Sequence, residues 1–106
     1  MHWGCEMPFT NVPWESPESE LSAEDYCAVC LIDLNESDEK IKANCKLPVR
    51  STPGGPYNKN AIRNAIARLS QTQAPPDARR KAARKLLQLA QEADIATGDA
   101  LKRLAR

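Results

Sequence analysis

The chain reads as mostly α: a small helical domain of three to four short helices, with a short extended segment and an ordered, proline-containing N-terminal arm. Three observations carry that reading. Apolar residues recur at helical spacing in separate stretches, and Pro/Gly clusters punctuate the intervals between them. The apolar residues are mainly Ile, Leu, Val and Ala, with five aromatics in 106 residues, which suits short packed helices. The divisions that follow are an arm over 1–20, a helical domain over 21–93 and a short C-terminal helix over 94–106.

The arm holds Pro8, Pro13 and Pro17 among scattered acids and shows no period. Trp3, Phe9 and Trp14 give it apolar surface, so it is expected to lie against the domain or a neighbour, with Trp14 as anchor. The helical domain opens on Leu21-Ser22-Ala23-Glu24-Asp25-Tyr26. Ser22 suits an N-cap, Asp25 stands where a capping-box acid belongs, and Leu21 with Tyr26 fits a hydrophobic staple. Ala23, Tyr26, Cys27, Cys30, Leu31 and Leu34 then recur at helical spacing, which predicts a helix to about Asp33. Asn35 to Lys40 reads as a solvated acidic turn. Ile41 to Val49 is expected to be partly extended, with Pro48 arguing against a central strand.

Pro53-Gly54-Gly55-Pro56 marks a turn. Asn58 or Asn60 can cap the helix after it, whose stripe is Ile62, Ala65, Ile66 and Leu69. Pro75-Pro76 breaks the chain again; Pro76 suits a first helical position and Asp77 the positive end of the dipole. Ala82, Ala83, Leu86, Leu87, Ala90 and Ala93 form the next stripe. Gly98 reads as a helix stop, before a last amphipathic piece with Leu101 and Leu104. Leu31, Ile66, Leu69, Leu86 and Leu87 are the expected core.

Charge is strongly polarised. Through residue 40 ten acids face Lys40 alone; from residue 41 fourteen Lys and Arg face four acids. The two halves either fold against each other and neutralise, or each meets its own partner. Arg79, Arg80, Lys81, Arg84 and Lys85 crowd the start of a helix, where cations oppose the macrodipole. They and Trp14 are the candidate partner-binding residues. The cations would meet carboxylates of this chain or of a protein partner; a phosphate backbone is the second reading, using the basic helix 78–88. No aromatic interleaves the cations to stack a base, which favours the protein partner.

Nothing in the sequence points to catalysis. With one histidine, in the arm, no Ser-His-Asp or Cys-His set is available, and Pro-Gly-Gly-Pro lacks the N–H groups of a phosphate loop. The chain is therefore expected not to be an enzyme and to need no cofactor. Cys27 and Cys30 have zinc-ligand spacing, but Cys5 and Cys45 are single rather than a second pair. Without a visible signal peptide or an apolar run of about 18 residues, neither disulfides nor a membrane span is expected, and buried free thiols are the default.

From Trp14 to about Ala93 the order of features resembles a small domain of tailed-phage and prophage proteins that accompanies prohead proteases and major capsid proteins. Trp14 with Ser16, the Leu21-to-Tyr26 helix start, Cys30-Leu31-Ile32-Asp33 and Lys46-Leu47-Pro48-Val49-Arg50 carry the likeness. So do Asn58-Lys59-Asn60-Ala61, Ala65-to-Leu69 and Lys81-to-Leu87. Cys30 fits the pattern, whereas Cys5, Cys27 and Cys45 do not, and Pro-Gly-Gly-Pro replaces an Asp-Gly turn. The resemblance implies a phage-head setting, in the host cytoplasm or the virion, with a capsid protein or prohead protease as partner. It implies no activity and leaves self-association open.

Overall fold

A computed structural model describes residues 9–106. Its order is β1 (Phe9–Thr10), α1 (Ala23–Val29), β2 (Cys30–Asp33), β3 (Cys45–Pro48), β4 (Tyr57–Asn58), α2 (Lys59–Arg68), α3 (Pro76–Ala93) and α4 (Asp99–Leu104). Helices dominate, but the fold is not purely helical: β2 and β3 pair antiparallel, and β1 pairs parallel with β4. No helix among the described residues is long and apolar enough to cross a membrane.

The helix at Ser22 forms as its sequence dictates, with the Ser22 hydroxyl accepting from Asp25 N–H at 3.2 Å. Its length departs from expectation. α1 ends at Val29, and Cys30 to Asp33 is extended rather than helical. Register explains the switch: Cys30 faces Pro48, Ile32 faces Lys46 and Asp33 faces Cys45, so strand pairing replaces the helical hydrogen bonds. Alternation then sends Ile32 into the core and Asp33 toward solvent. Helical and strand periods both fit so short an apolar run.

Asn58 organises the centre of the molecule. It is 1% exposed, the one polar residue buried among those described. Its Oδ1 accepts from Asn60 N–H (2.8 Å) and Ala61 N–H (3.0 Å), capping α2. Its Nδ2 donates to Val12 O at 3.1 Å, and its own N–H donates to Val49 O at 2.8 Å. Asn60 Nδ2 also reaches Val12 O, at 2.8 Å. Asn58 thus joins the arm, the residue after β3 and a helix N-terminus. In the turn between, Gly54 adopts φ +79°, a conformation that L side chains rarely take.

The main core draws Ile32, Leu47, Val49, Ile62, Leu69, Leu86, Leu89 and Leu101 from β2, β3, α2, α3 and α4 and the segments joining them. Of the expected core, Leu69 and Leu86 are fully buried, while Leu31, Ile66 and Leu87 are half-buried against it. Phe9 packs on the same core, its ring 6.0 Å from Tyr57. The expected docking of Trp3 lies outside the described residues. Gly98 does not stop α3; it precedes α4 as its N-cap. The stop is Asp94, in the left-handed region at φ 59°. Its N–H donates to Gln91 O and the Ile95 N–H to Ala90 O, a Schellman closure with Ile95 packed on the core.

Two cysteines overturn the expectation of free thiols, while Cys30 remains free. Cys27 and Cys45 form a disulfide with Cα atoms 5.3 Å apart, joining α1 to β3. Closing a loop of 18 residues is worth roughly 3 kcal/mol in chain-entropy terms.

Asn58→Ala is expected to remove the α2 cap and one of the two donors to the Val12 carbonyl, lowering stability by roughly 1–3 kcal/mol. Asn58→Asp keeps the capping oxygen and loses the donor to the arm. Chemical denaturation of the two variants separates the terms: equal losses would mean that the capping oxygen contributes nothing, and no loss in Asn58→Asp that the amide donor contributes nothing.

Candidate functional site

The arm returns along α1 and β3, and an open groove of about 720 Å³ lies between it and α2. Trp14, Ser16 and Glu18 form one wall, Tyr26 stands behind them, and Ala61, Ala65 and Arg68 supply the α2 side. Lys42, Cys45, Lys46, Leu47 and Pro48 also line it. Trp14 is half-buried, so the aromatic meets both the protein and the open space. Three of the lining side chains are cationic (Lys42, Lys46, Arg68) against Glu18 alone. Lys42 Nζ donates to the Glu18 carbonyl and Lys46 Nζ to Ala43 O, which fixes two of the cations at the rim.

Tyr26 and Cys30 sit side by side behind this wall. Burial drives the Tyr26 phenol well above its usual range, with the neighbouring Cys30 adding to it, so the hydroxyl stays protonated. Burial likewise pushes the Cys30 thiol up to about 12, helped by the Glu18 and Asp33 carboxylates and opposed by a hydrogen bond with Tyr26. A thiol so placed is a poor nucleophile at neutral pH. The Cys27/Cys30 zinc pairing fails on geometry, since Cys27 is bonded to Cys45 while Cys30 turns to Tyr26. Cys27, Cys45 and Asp33 place their ligand atoms within 4.8 Å of one another. As a disulfide, however, the two sulfurs offer no thiolate, the form that binds zinc.

Asp33 is committed elsewhere. Burial alone would raise its pKa, but Lys40 Nζ at 2.8 Å and the Asn35 backbone and side-chain N–H groups outweigh it and lower the pKa. A lowered carboxylate pKa stabilises the fold above the ordinary value of about 3.9, and that stabilisation disappears as pH falls through the folded-state pKa. Asp33→Asn is therefore expected to flatten the acid limb of a stability-versus-pH curve without altering its shape above pH about 6. An unchanged acid limb would mean that Asp33 carries none of it.

The five cations at the start of α3 do not form one free patch. Arg80 Nε donates to Arg106 O at 2.7 Å, and Arg84 Nε to Ala105 O at 2.8 Å. These are backbone oxygens at the C-terminal end of α4, where carbonyls lack intrahelical partners and the dipole is negative. Arg80 also pairs with Asp77 at 2.9 Å. Lys85 Nζ lies 5.9 Å from the Tyr57 ring centroid, on which Arg50 stacks at 4.2 Å. Arg79 is half-buried, its Nε without a hydrogen-bond partner. Lys81 borders a smaller cleft with Asp33 and Asp77. Two of the cations that oppose the dipole of α3 are thus placed to satisfy that of α4. Neither ion pair among the described residues joins this cluster to the Glu36–Glu39 turn. Trp14 is in the groove; the five cations are not among its lining.

Sequence reasoning missed Lys42, Lys46 and Arg68 as a group because they come from separate elements and share no spacing. The Lys46-Leu47-Pro48 stretch was the available signal. No family model matches the chain, and neither the curated proteins nor the solved structures yield a match.

Replacing Arg80 and Arg84 together by alanine is expected to cost roughly 1–2 kcal/mol, discounted for their partial exposure. Amide exchange should accelerate first in α4. Loss of stability spread evenly over all helices would show that the two arginines do more than hold α4.

Proposed function

We propose that the chain is a non-enzymatic, head-associated module of a tailed phage or prophage that acts by binding another protein, in the host cytoplasm or the virion. The phage setting rests on the residue pattern from Trp14 to Ala93. The observation that carries the binding role is the Trp14 groove: an open channel with two aromatics, an apolar floor at Leu47, Ala61 and Ala65, and cations at its rim. Its volume lies in the range of built recognition sites, and tryptophan and arginine are the side chains that most often anchor protein interfaces.

The occupant that fits is an extended protein segment carrying an apolar side chain flanked by carboxylates. The apolar group would sit against Trp14 and Tyr26, and the carboxylates would meet Lys46 and Arg68 with charge-assisted hydrogen bonds. A capsid protein or prohead protease is the expected source. Nucleic acid is the poorer fit. Arg80 and Arg84 are spent on α4, and Glu15, Glu18 and Glu20 in the arm would repel a polyanion.

The test is co-purification and titration against the major capsid protein and prohead protease encoded in the same genome. Trp14→Ala, and Lys46→Glu with Arg68→Glu, should each weaken association by at least about tenfold, as loss of an interface anchor does. Association with neither protein would defeat the proposal. So would salt-steep duplex DNA binding that is tighter than about 10⁻⁵ M at physiological salt.

A further inference from the structure

Apolar packing among the described residues falls into two clusters of unequal strength. The main core is built from five elements. The second contains four buried residues, Tyr26, Cys27, Val29 and Cys45, with Leu21 and Cys30 at its edge. Half of its buried members are the two sulfur-linked residues, so the packing around α1 is thin without the covalent bond. α1 and the segment from Lys42 to Leu47 are also what carry the groove. Tyr26 stands on α1, Ser16 lines the groove with it, and Lys42 holds the Glu18 carbonyl.

The turn between β2 and β3 is gathered at the same point. Asn35 Nδ2 lies 3.3 Å from Cys45 Sγ and 3.6 Å from Cys27 Sγ, and also donates to Asp33 Oδ1 and Ile41 O. Its Oδ1 accepts from Ile41 N–H and from Asn44 Nδ2. One side chain therefore ties residues 33–45 to the two sulfurs. Both cystine halves are almost fully buried, yet Cys45 lines the groove, so the bond is approached from the open side.

We infer that the Cys27–Cys45 disulfide is a redox clamp: it holds α1, the adjoining arm and the 34–44 turn in place, and its reduction releases them while the main core stays folded. The step takes two electrons and two protons from a dithiol reductant. A reductant thiolate attacks Cys45 Sγ, Cys27 leaves as thiolate and is protonated, and the second reductant thiol resolves the mixed disulfide. The reductant ends as a disulfide and the protein as two thiols. Resting on the groove reading, this makes the groove competent when the chain is oxidised and open-walled when it is reduced.

The experiment is hydrogen exchange by mass spectrometry on the full chain, oxidised and reduced by dithiothreitol, with the Cys27→Ser/Cys45→Ser double variant as a second reduced-like form. A non-reducing peptide map first locates the cross-link. Expected is at least about tenfold faster exchange of amides within 16–29 and 34–44 in both reduced forms, with α2 and α3 amides unchanged. Three results overturn the clamp: no Cys27–Cys45 cross-linked peptide in oxidised protein, exchange indifferent to redox state, or exchange accelerated throughout the chain. Titration of the capsid-protein partner in both states adds a separate reading. Binding lost on reduction supports control of the groove, and binding unchanged despite local release removes that control. Failure of the oxidised protein to bind defeats the groove proposal alone, because the exchange data decide the clamp.

Discussion

The fold turns on the buried amide of Asn58. A polar side chain with 1% exposure is costly unless its donors and acceptors are met. Here Oδ1 takes two N–H groups of the first turn of α2, and Nδ2 gives a hydrogen bond to Val12. Those partners lie 46 residues away on one side and two and three residues away on the other. The local cap sets where α2 starts, and the distant bond sets where the arm runs. Because β1 pairs with β4 immediately before that cap, the arm is positioned by backbone and side chain together. Trp14, two residues beyond Val12, reaches its groove as a consequence.

A second constraint settles the charge pattern of α3. A helix that places cations at its own N-terminus forgoes favourable interaction with its dipole. α3 gains instead from the end of α4, whose terminal backbone oxygens receive Arg80 and Arg84. α4 is only six residues long, below the length at which a helix is stable alone. Leu101 and Ala105, buried in the main core, supply its packing, and the two arginines satisfy the end that packing leaves bare. The same side chains cannot serve fully as a polyanion-binding patch. Electrostatics inside the domain therefore weighs against the nucleic-acid reading.

Legibility followed the range of the interaction that determines each feature. Ser22, Asn58 and Pro76 act within one helical turn, and each helix start could be read from the sequence, with Asn58 and Asn60 both open as the cap of α2. The end of α1 could not, since Cys30 to Asp33 becomes a strand only because Lys46 and Pro48 lie alongside. The disulfide was illegible for the same reason: spacing in the chain pairs Cys27 with Cys30, whereas the fold brings Cys27 to Cys45. Asp94 ends α3 from a left-handed backbone that glycine usually occupies, so Gly98 drew the stop four residues too far. At the candidate site, Trp14 was visible as a candidate because a tryptophan in a Pro-broken arm needs cover. The cations at its groove come from the segment leading into β3, β3 itself and α2, and only the fold assembles them.

Leu47 connects the groove to the core. Its φ is +64°, an uncommon state for a residue with a branched side chain, and Pro48 follows it directly. Such a backbone costs on the order of 1–3 kcal/mol and persists only where packing over-determines it. Packing does so here. Leu47 is buried in the main core with Ile32, Val49 and Ile62, yet it also lines the groove beside Lys46 and Pro48. Cys45, two residues earlier, belongs to the other apolar cluster and carries the covalent link to α1. A strand of four residues thus has its first residue anchored by a disulfide and its third, the strained one, by core burial. The groove floor is rigid from Leu47 onward because the main core holds it. Its wall at Tyr26 is tied through Cys27 to Cys45, so under the proposed clamp the firmness of that wall follows the oxidation state of two sulfurs.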